Sequence, residues 1–199
     1  MGFARLPNSL RPTELFDERD LTRILAVISA GLAQQGDWEK RTKALLGLQR
    51  LAAGNLSQFK SAPALLKGMH DLVAVQISDL RSVVSKEASR AVAALAVGLR
   101  GVCSPLVEFW WPCLLKVAVL KTQVVASAAD KCLRCLVSCC PDSRLLSLIL
   151  DGCAGKSAPL RRLSLQYMCL ACACWRPDIL ERSAALSAQP MPPVSSSIS

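Results

Sequence analysis

The sequence predicts an all-α fold, a solenoid of antiparallel helical hairpins, and three observations predict it. Of the 199 residues 52% are hydrophobic but only 5% aromatic, and Leu, Ala and Val dominate while aromatic and Thr-rich strand-like runs are scarce, a balance that favours helix. The apolar residues recur at helical spacing in short segments. Turn signals then break these segments at regular intervals. The composition also excludes classes. A mean hydropathy of +0.33 raises the membrane question, but a spanning helix needs about 20 consecutive apolar residues. The longest apolar blocks, Ala91 to Leu99 and Tyr167 to Trp175, hold about nine, so no membrane span is expected. Disordered chains lack this much aliphatic content.

The elements follow in order. Glu14 to Gln34 forms one or two helices, with Leu21, Ile24, Leu25, Ile28 and Leu32 on one stripe. Gly36-Asp37 breaks the pattern, and Asp37 is an expected N-cap for a helix from Trp38 to Ala53, closed by Gly54-Asn55. A helix from Ala62 to Ile77 ends at Ser78-Asp79. The next, Val83 to Leu99, carries Val84, Ala88, Ala91, Val92, Leu95 and Leu99 on its stripe, and Gly101 stops it. Ser104-Pro105 restarts helix in the favoured cap-then-Pro order and continues to Val119. Val125 to Cys139 follows and ends at Pro141-Asp142. A short helix from Arg144 to Cys153 is closed by Gly155. Leu160, Leu163, Tyr167, Leu170 and Cys174 mark another stripe, and Arg176-Pro177-Asp178 begins a last short helix to Leu186. Residues 1–12 are expected to be a flexible N-terminus, 13–187 the folded domain, and the Pro- and Ser-rich 188–199 a disordered tail.

Such short connections force consecutive helices to lie antiparallel. The turns within helix pairs fall near Asp37, Asp79, Lys121 and Lys156, about 42, 42 and 35 residues apart, which suits HEAT-type repeats of about 40 to 47 residues. The expected architecture is a HEAT-repeat solenoid, an α-α superhelix of about four and a half repeats. In such a stack, turns of one type align along a single edge, where unusual chemistry is informative because burial does not require it.

The first of these turns offers Asp37-Trp38-Glu39-Lys40-Arg41, and the second Ser78-Asp79-Leu80-Arg81-Ser82. The third offers Leu120-Lys121-Thr122-Gln123, and the fourth Gly155-Lys156-Ser157 with Arg161-Arg162 one turn later. Each carries a cation, and the first adds a large aromatic. Lined up, they form a basic strip led by Trp38. The net charge of +9 favours an acidic partner.

These turns carry a resemblance. The string Asp-Trp-Glu-Lys-Arg-Thr-Lys-Ala-Leu at 37–45 resembles the opening of a CLASP-type TOG domain. Asp-Leu-Arg-Ser-Val-Val-Ser-Lys-Glu-Ala at 79–88 is similar to the second-repeat turn of that family. Lys-Thr-Gln-Val-Val at 121–125, with Ala-Ala-Asp-Lys-Cys at 128–132, is similar to its third, and Lys-Ser-Ala-Pro-Leu-Arg-Arg at 156–162 to its fourth. Four ordered matches over about residues 20–186 are far more specific than any one. The resemblance implies a paddle of HEAT repeats that binds the αβ-tubulin dimer through the aligned turns. It implies Trp38 as the apolar anchor on β-tubulin, with Lys40 and Arg41 beside it. Arg81 and Ser82 would serve the second turn, Lys121 and Thr122 the third, and Lys156 and Arg161 the fourth. It also implies stabilisation and rescue of microtubules, and a cytoplasmic, cytoskeletal location. Family domains continue through a fifth and sixth repeat, and no fifth turn of this kind is expected here.

Other residue patterns weigh against different chemistry. The Cys set, Cys132-x2-Cys135-x3-Cys139-Cys140 and Cys169-x2-Cys172-x-Cys174, sits on helical stripes. Zinc ligands must instead converge tetrahedrally, so these cysteines are expected to be buried small hydrophobes and no metal is expected. With no hydrophobic N-terminal leader in Met1 to Leu10 and no myristoylation pattern after Gly2, the expected compartment is reducing. His70 is the sole histidine and is expected mid-helix, Trp110-Trp111-Pro112 forms a packing cluster, and no phosphate-cradling Gly loop appears. The expectation is a non-enzyme without cofactor or small-molecule substrate. The alternative is a HEAT scaffold for another acidic protein or for nucleic acid, the latter requiring cations on helix faces and a steep salt dependence.

Overall fold

A computed structural model describes residues 11–181. Nine α-helices lie among them: α1 (Glu18–Leu32), α2 (Trp38–Ala53), α3 (Ala62–Lys67), α4 (His70–Ile77), α5 (Ser82–Leu99), α6 (Ser104–Ala118), α7 (Gln123–Cys139), α8 (Ser143–Ala154) and α9 (Ala158–Cys174). The chain turns helical again at 177–181. The expected flexible N-terminus falls almost wholly outside the described residues, as do the disordered tail and the end of the last short helix.

The hairpins form two layers. α1, α4, α6 and α8 pack in series as one layer, and α2, α5, α7 and α9 as the other. Side-chain hydrogen bonds that cross between neighbouring hairpins record the repeat length. Their partners are 38 residues apart for Gln49–Glu87, 42 for Cys135–Ala93, 40 for Cys140–Arg100 and 38 for Trp175–Val137. Each helix of the second layer therefore runs parallel to the one before it, in register. All four turns that enter this layer emerge at the same edge.

The core follows the periodicity. Leu21, Leu25, Ile28 and Leu32 bury one face of α1, and Asp17 starts that helix by accepting from the Asp20 N–H at 2.7 Å. The helix thus begins four residues later than expected. Leu15 before it is buried and donates its N–H to Asn55 Oδ1 at 2.9 Å. The stripe of α5 lies wholly in the core, where its close approach to α2 requires glycine: a Cβ at Gly98 would collide with the Ala52 carbonyl.

Three expectations need correction. Ala62 to Ile77 is two helices, broken at Gly68-Met69. Glycine there is a weak helix former, and the break turns Met69 into the core, 3% exposed. His70 consequently opens α4 and stacks on Phe109 at 3.9 Å between ring centroids. α5 ends at Leu99 as expected, but the residue that closes it is Arg100, not Gly101: Arg100 is the one non-glycine with positive φ (49°) among the described residues. The stretch Ser82–Ala118 is by length and composition long and apolar enough to cross a membrane, contrary to the run-length reading. In the fold it is α5 and α6, parted at Arg100, with 50% of its most apolar window buried inside.

Trp110 and Trp111 are buried at 0% and 1% exposure, so that cluster is core. The cysteines divide. Cys132 is buried as expected for a small apolar residue, Cys135 and Cys139 are only half-buried, and Cys169, Cys172 and Cys174 are exposed. α9 buries Ser164, Tyr167 and Ala171 instead, because Tyr167 reaches Asp130 of α7 at 2.8 Å and fixes the rotation of the helix.

Candidate interaction edge

The edge is built turn by turn from caps. Asp37 lies in extended conformation and its Oδ1 accepts from the Lys40 N–H at 3.0 Å, which pins the first turn of α2. That bond, helped by the Lys40 ammonium at 3.3 Å, holds the Asp37 carboxyl below its ordinary pKa. Trp38 occupies the first helical position. Its backbone is tied by the Thr42 hydroxyl, which donates to the Trp38 carbonyl at 2.8 Å, while the residue remains 39% exposed.

Arg41, one turn later, points the other way. It is 3% exposed, and its Nη1 donates to Asp79 Oδ2 at 2.5 Å and to Gln76 Oε1 at 2.7 Å. Gln76 in turn donates to the Leu32 carbonyl at 3.2 Å. Asp79 also caps its own turn, accepting from the Arg81 N–H at 2.8 Å. Burial pushes the Asp79 carboxyl up, but the Arg41 guanidinium and the Arg81 N–H outweigh it and hold the carboxyl below its ordinary value. The first two turns are thereby clamped to one another. Arg41 cannot serve as a partner-facing cation, and that expectation is corrected: a guanidinium at the fourth helical position faces the next hairpin, where an acid awaits it.

Arg81, Ser82, Lys121 and Thr122 are all exposed at the second and third turns, and Lys156 at the fourth. Lys40 is exposed but leans on Asp37. Arg161 is half-buried and folds back, its Nη1 donating to the carbonyls of Gly155 at 3.0 Å and Lys156 at 2.7 Å. It closes the end of α8 and presents little charge outward, so its expected role is corrected as well. Arg162 beside it is exposed.

Two apolar residues of this edge escaped the sequence reading. Leu80 is 102% exposed and Leu120 53%. Each immediately precedes the turn cation, Arg81 or Lys121, so the rim alternates apolar and basic side chains from Trp38 through Leu80 to Leu120. The signal was available: the same Leu-cation pair stands 40 residues apart.

Among the described residues no group of three or more His, Cys, Asp and Glu could hold a metal ion. Burial raises the Cys132 thiol well above its ordinary pKa, which makes it a poor nucleophile or ligand.

A stack of helical hairpins whose entering turns share one edge defines a helical-repeat protein. The profile of the family described as CLASP N terminal matches residues 20–185. The chain belongs to that family. Similar proteins include a CLIP-associated protein of Arabidopsis thaliana, 28% identical over 86% of this chain and 12% of that one. CLIP-associating protein 1-B of Xenopus laevis is 23% identical over 94% of this chain and 13% of its own, and Protein STU1 of Gibberella zeae 23% over 84% and 15%. The chain thus spans less than a fifth of the length of these relatives. Among solved structures, a designed armadillo repeat protein in complex with a peptide, (KR)4, superposes with a TM-score of 0.53 at 18% identity, covering 85% of this chain and 76% of that one. An engineered protein gives 0.53 at 16% identity over 75% and 62%. These two bear on the fold alone.

Proposed function

We propose that this chain is a non-catalytic tubulin-binding module of a microtubule-regulating protein, and that the turn edge is its contact surface. One observation carries the reading: Trp38, Leu80 and Leu120 stand exposed at successive aligned turns with Arg81 and Lys121 beside them. Aliphatic and indole side chains left in water at regular intervals favour a partner that covers them. A desolvated Trp commonly supplies a binding hot spot, while flanking cations supply orientation and on-rate towards an acidic surface. Membership of the CLASP N-terminal family supports tubulin as that surface. Regulation of dynamics would follow if the edge fits one tubulin curvature better than another, since a ligand shifts an equilibrium only through differential affinity. A module of four hairpins would gain by linkage to further modules. This reading puts the protein on microtubules in the cytoplasm.

The test is Trp38→Ala, assayed by microtubule co-sedimentation and by size exclusion with soluble tubulin. Truncation of a hot spot costs about 2 kcal/mol or more, roughly 30-fold in affinity, with helicity unchanged because the Asp37 cap and the core do not involve the indole. Binding equal to that of the natural protein removes the turn edge as the site.

A further inference from the structure

A groove on the second helix layer starts beside the third turn, at Gln123 and Val124, and runs away from Trp38 and the first turn. It runs between α5 and α7 with a volume of about 560 Å³, within the range of sites that enclose small ligands or a few peptide residues. Two helical stripes form its walls. Lys86, Arg90, Ala93 and Val97 come from α5, and Val124, Ala128, Lys131 and Cys135 from α7. No acidic residue lines it. Lys86 and Lys131 make no ion pair among the described residues, and Arg90, paired with Glu87 at 2.6 Å, still exposes 49% of its side chain. At the floor Gln49, 1% exposed, donates its amide to Glu87, and its Oε1 accepts no hydrogen bond.

From this arrangement we infer that the α5–α7 groove binds an acidic peptide segment of a partner protein in extended conformation. Charge complementarity selects the sign. Geometry selects the form: Lys86 and Arg90 are four residues apart on a helix, about 6 Å along its axis, close to the roughly 6.6–6.8 Å between alternate residues of a strand. A Glu-x-Glu segment lying along α5 sets both carboxylates on the two cations, with Lys131 facing it from α7. Ala93, Val97 and Ala128 leave room beneath for small side chains only. Nucleic acid fits less well, because the groove holds no aromatic side chain on which a base could stack.

The experiment uses a fluorescein-labelled octapeptide of alternating Glu and Ala, titrated by anisotropy with the whole chain. A Gln-Ala octapeptide and a labelled oligothymidine serve as the other arms. Saturable binding is expected for the Glu-Ala probe, at least tenfold tighter than for Gln-Ala. Lys131→Glu, at an exposed position, and Lys86→Glu, which likewise breaks no ion pair among the described residues, should each weaken it tenfold or more without changing the melting temperature by more than a few degrees. Trp38→Ala should leave it unaltered, which separates this groove from the turn edge: either can fail while the other stands. Equal affinity for Gln-Ala and Glu-Ala overturns the inference. So does full binding by Lys131→Glu, or oligothymidine that binds as tightly as the acidic peptide and depends on the same residues.

Discussion

The first two turns of the edge and the last two carry the same residue types and use them differently. At the first pair, Arg41 and Asp79 meet across 38 residues and lock one hairpin onto the next, and the outward face is left to Trp38, Leu80 and Arg81. At the later pair no such bridge forms among the described residues. Lys121 and Lys156 remain in solvent, and Arg161 turns back on the carbonyls of its own hairpin. The difference teaches that a cation at a repeat turn is a brace or a contact according to its place in the helix and the neighbour it finds. Arg41 stands at the fourth helical position and reaches the next hairpin. Lys121 stands ahead of the helix, in the turn itself.

The largest expected effect breaks this contrast at its strongest point. Arg41→Met removes one partner of a buried pair and leaves Asp79 and Gln76 facing an apolar side chain, and loss of one partner from such a pair costs 3–5 kcal/mol. Asp79 keeps 14% side-chain exposure and can be partly rehydrated, so a loss of about 3 kcal/mol is expected by urea unfolding. Lys121→Met, at an exposed turn, should stay within about 0.5 kcal/mol. Similar losses from both would mean that the first two turns are not braced in the way described.

Acid sharpens the same contrast. Asp79 has a folded-state pKa below its ordinary value of 3.8. Its contribution to stability is therefore complete above the unfolded value and is lost as pH falls through the folded one. Asp79→Asn should remove part of the stability near neutral pH and flatten the decline below about pH 4, measured as melting temperature against pH. An unchanged acid limb would show that the Arg41 bridge does not stabilise the charged carboxylate.

Much of this was legible beforehand. Period and punctuation located every hairpin, because burying one face of a helix imposes its own spacing, and the Asp37 cap was visible as a short polar residue before an apolar run. What stayed hidden depends on partners distant in sequence. Cys132-x2-Cys135 and Cys169-x2-Cys172 share one spacing, yet the first pair is packed between neighbouring second-layer helices and the second faces outward. The rotation of α9 is set by Tyr167 meeting Asp130, which no local pattern encodes. The break at Gly68 is equally silent, since helical periodicity tolerates a glycine. The burial of Arg41 could be inferred only by knowing that Asp79 would stand opposite.

The smallest effects separate the two fates of a cation within the later pair of turns. Arg161 donates to two carbonyls at the end of α8, and hydrogen bonds from a charged donor contribute about 1.5–3 kcal/mol when buried. Half-burial here reduces that to about 1 kcal/mol for Arg161→Ala. The change should lower stability and leave tubulin binding nearly intact, because the guanidinium is already occupied. Lys121→Glu should do the converse. Its stability should hold, while co-sedimentation weakens several-fold at low salt and the difference fades as ionic strength shortens the range of the charge. If instead Arg161→Ala impairs binding and spares the fold, then its contacts with Gly155 and Lys156 yield to a partner, and the fourth turn belongs with Trp38, Leu80 and Leu120 as part of the contact edge.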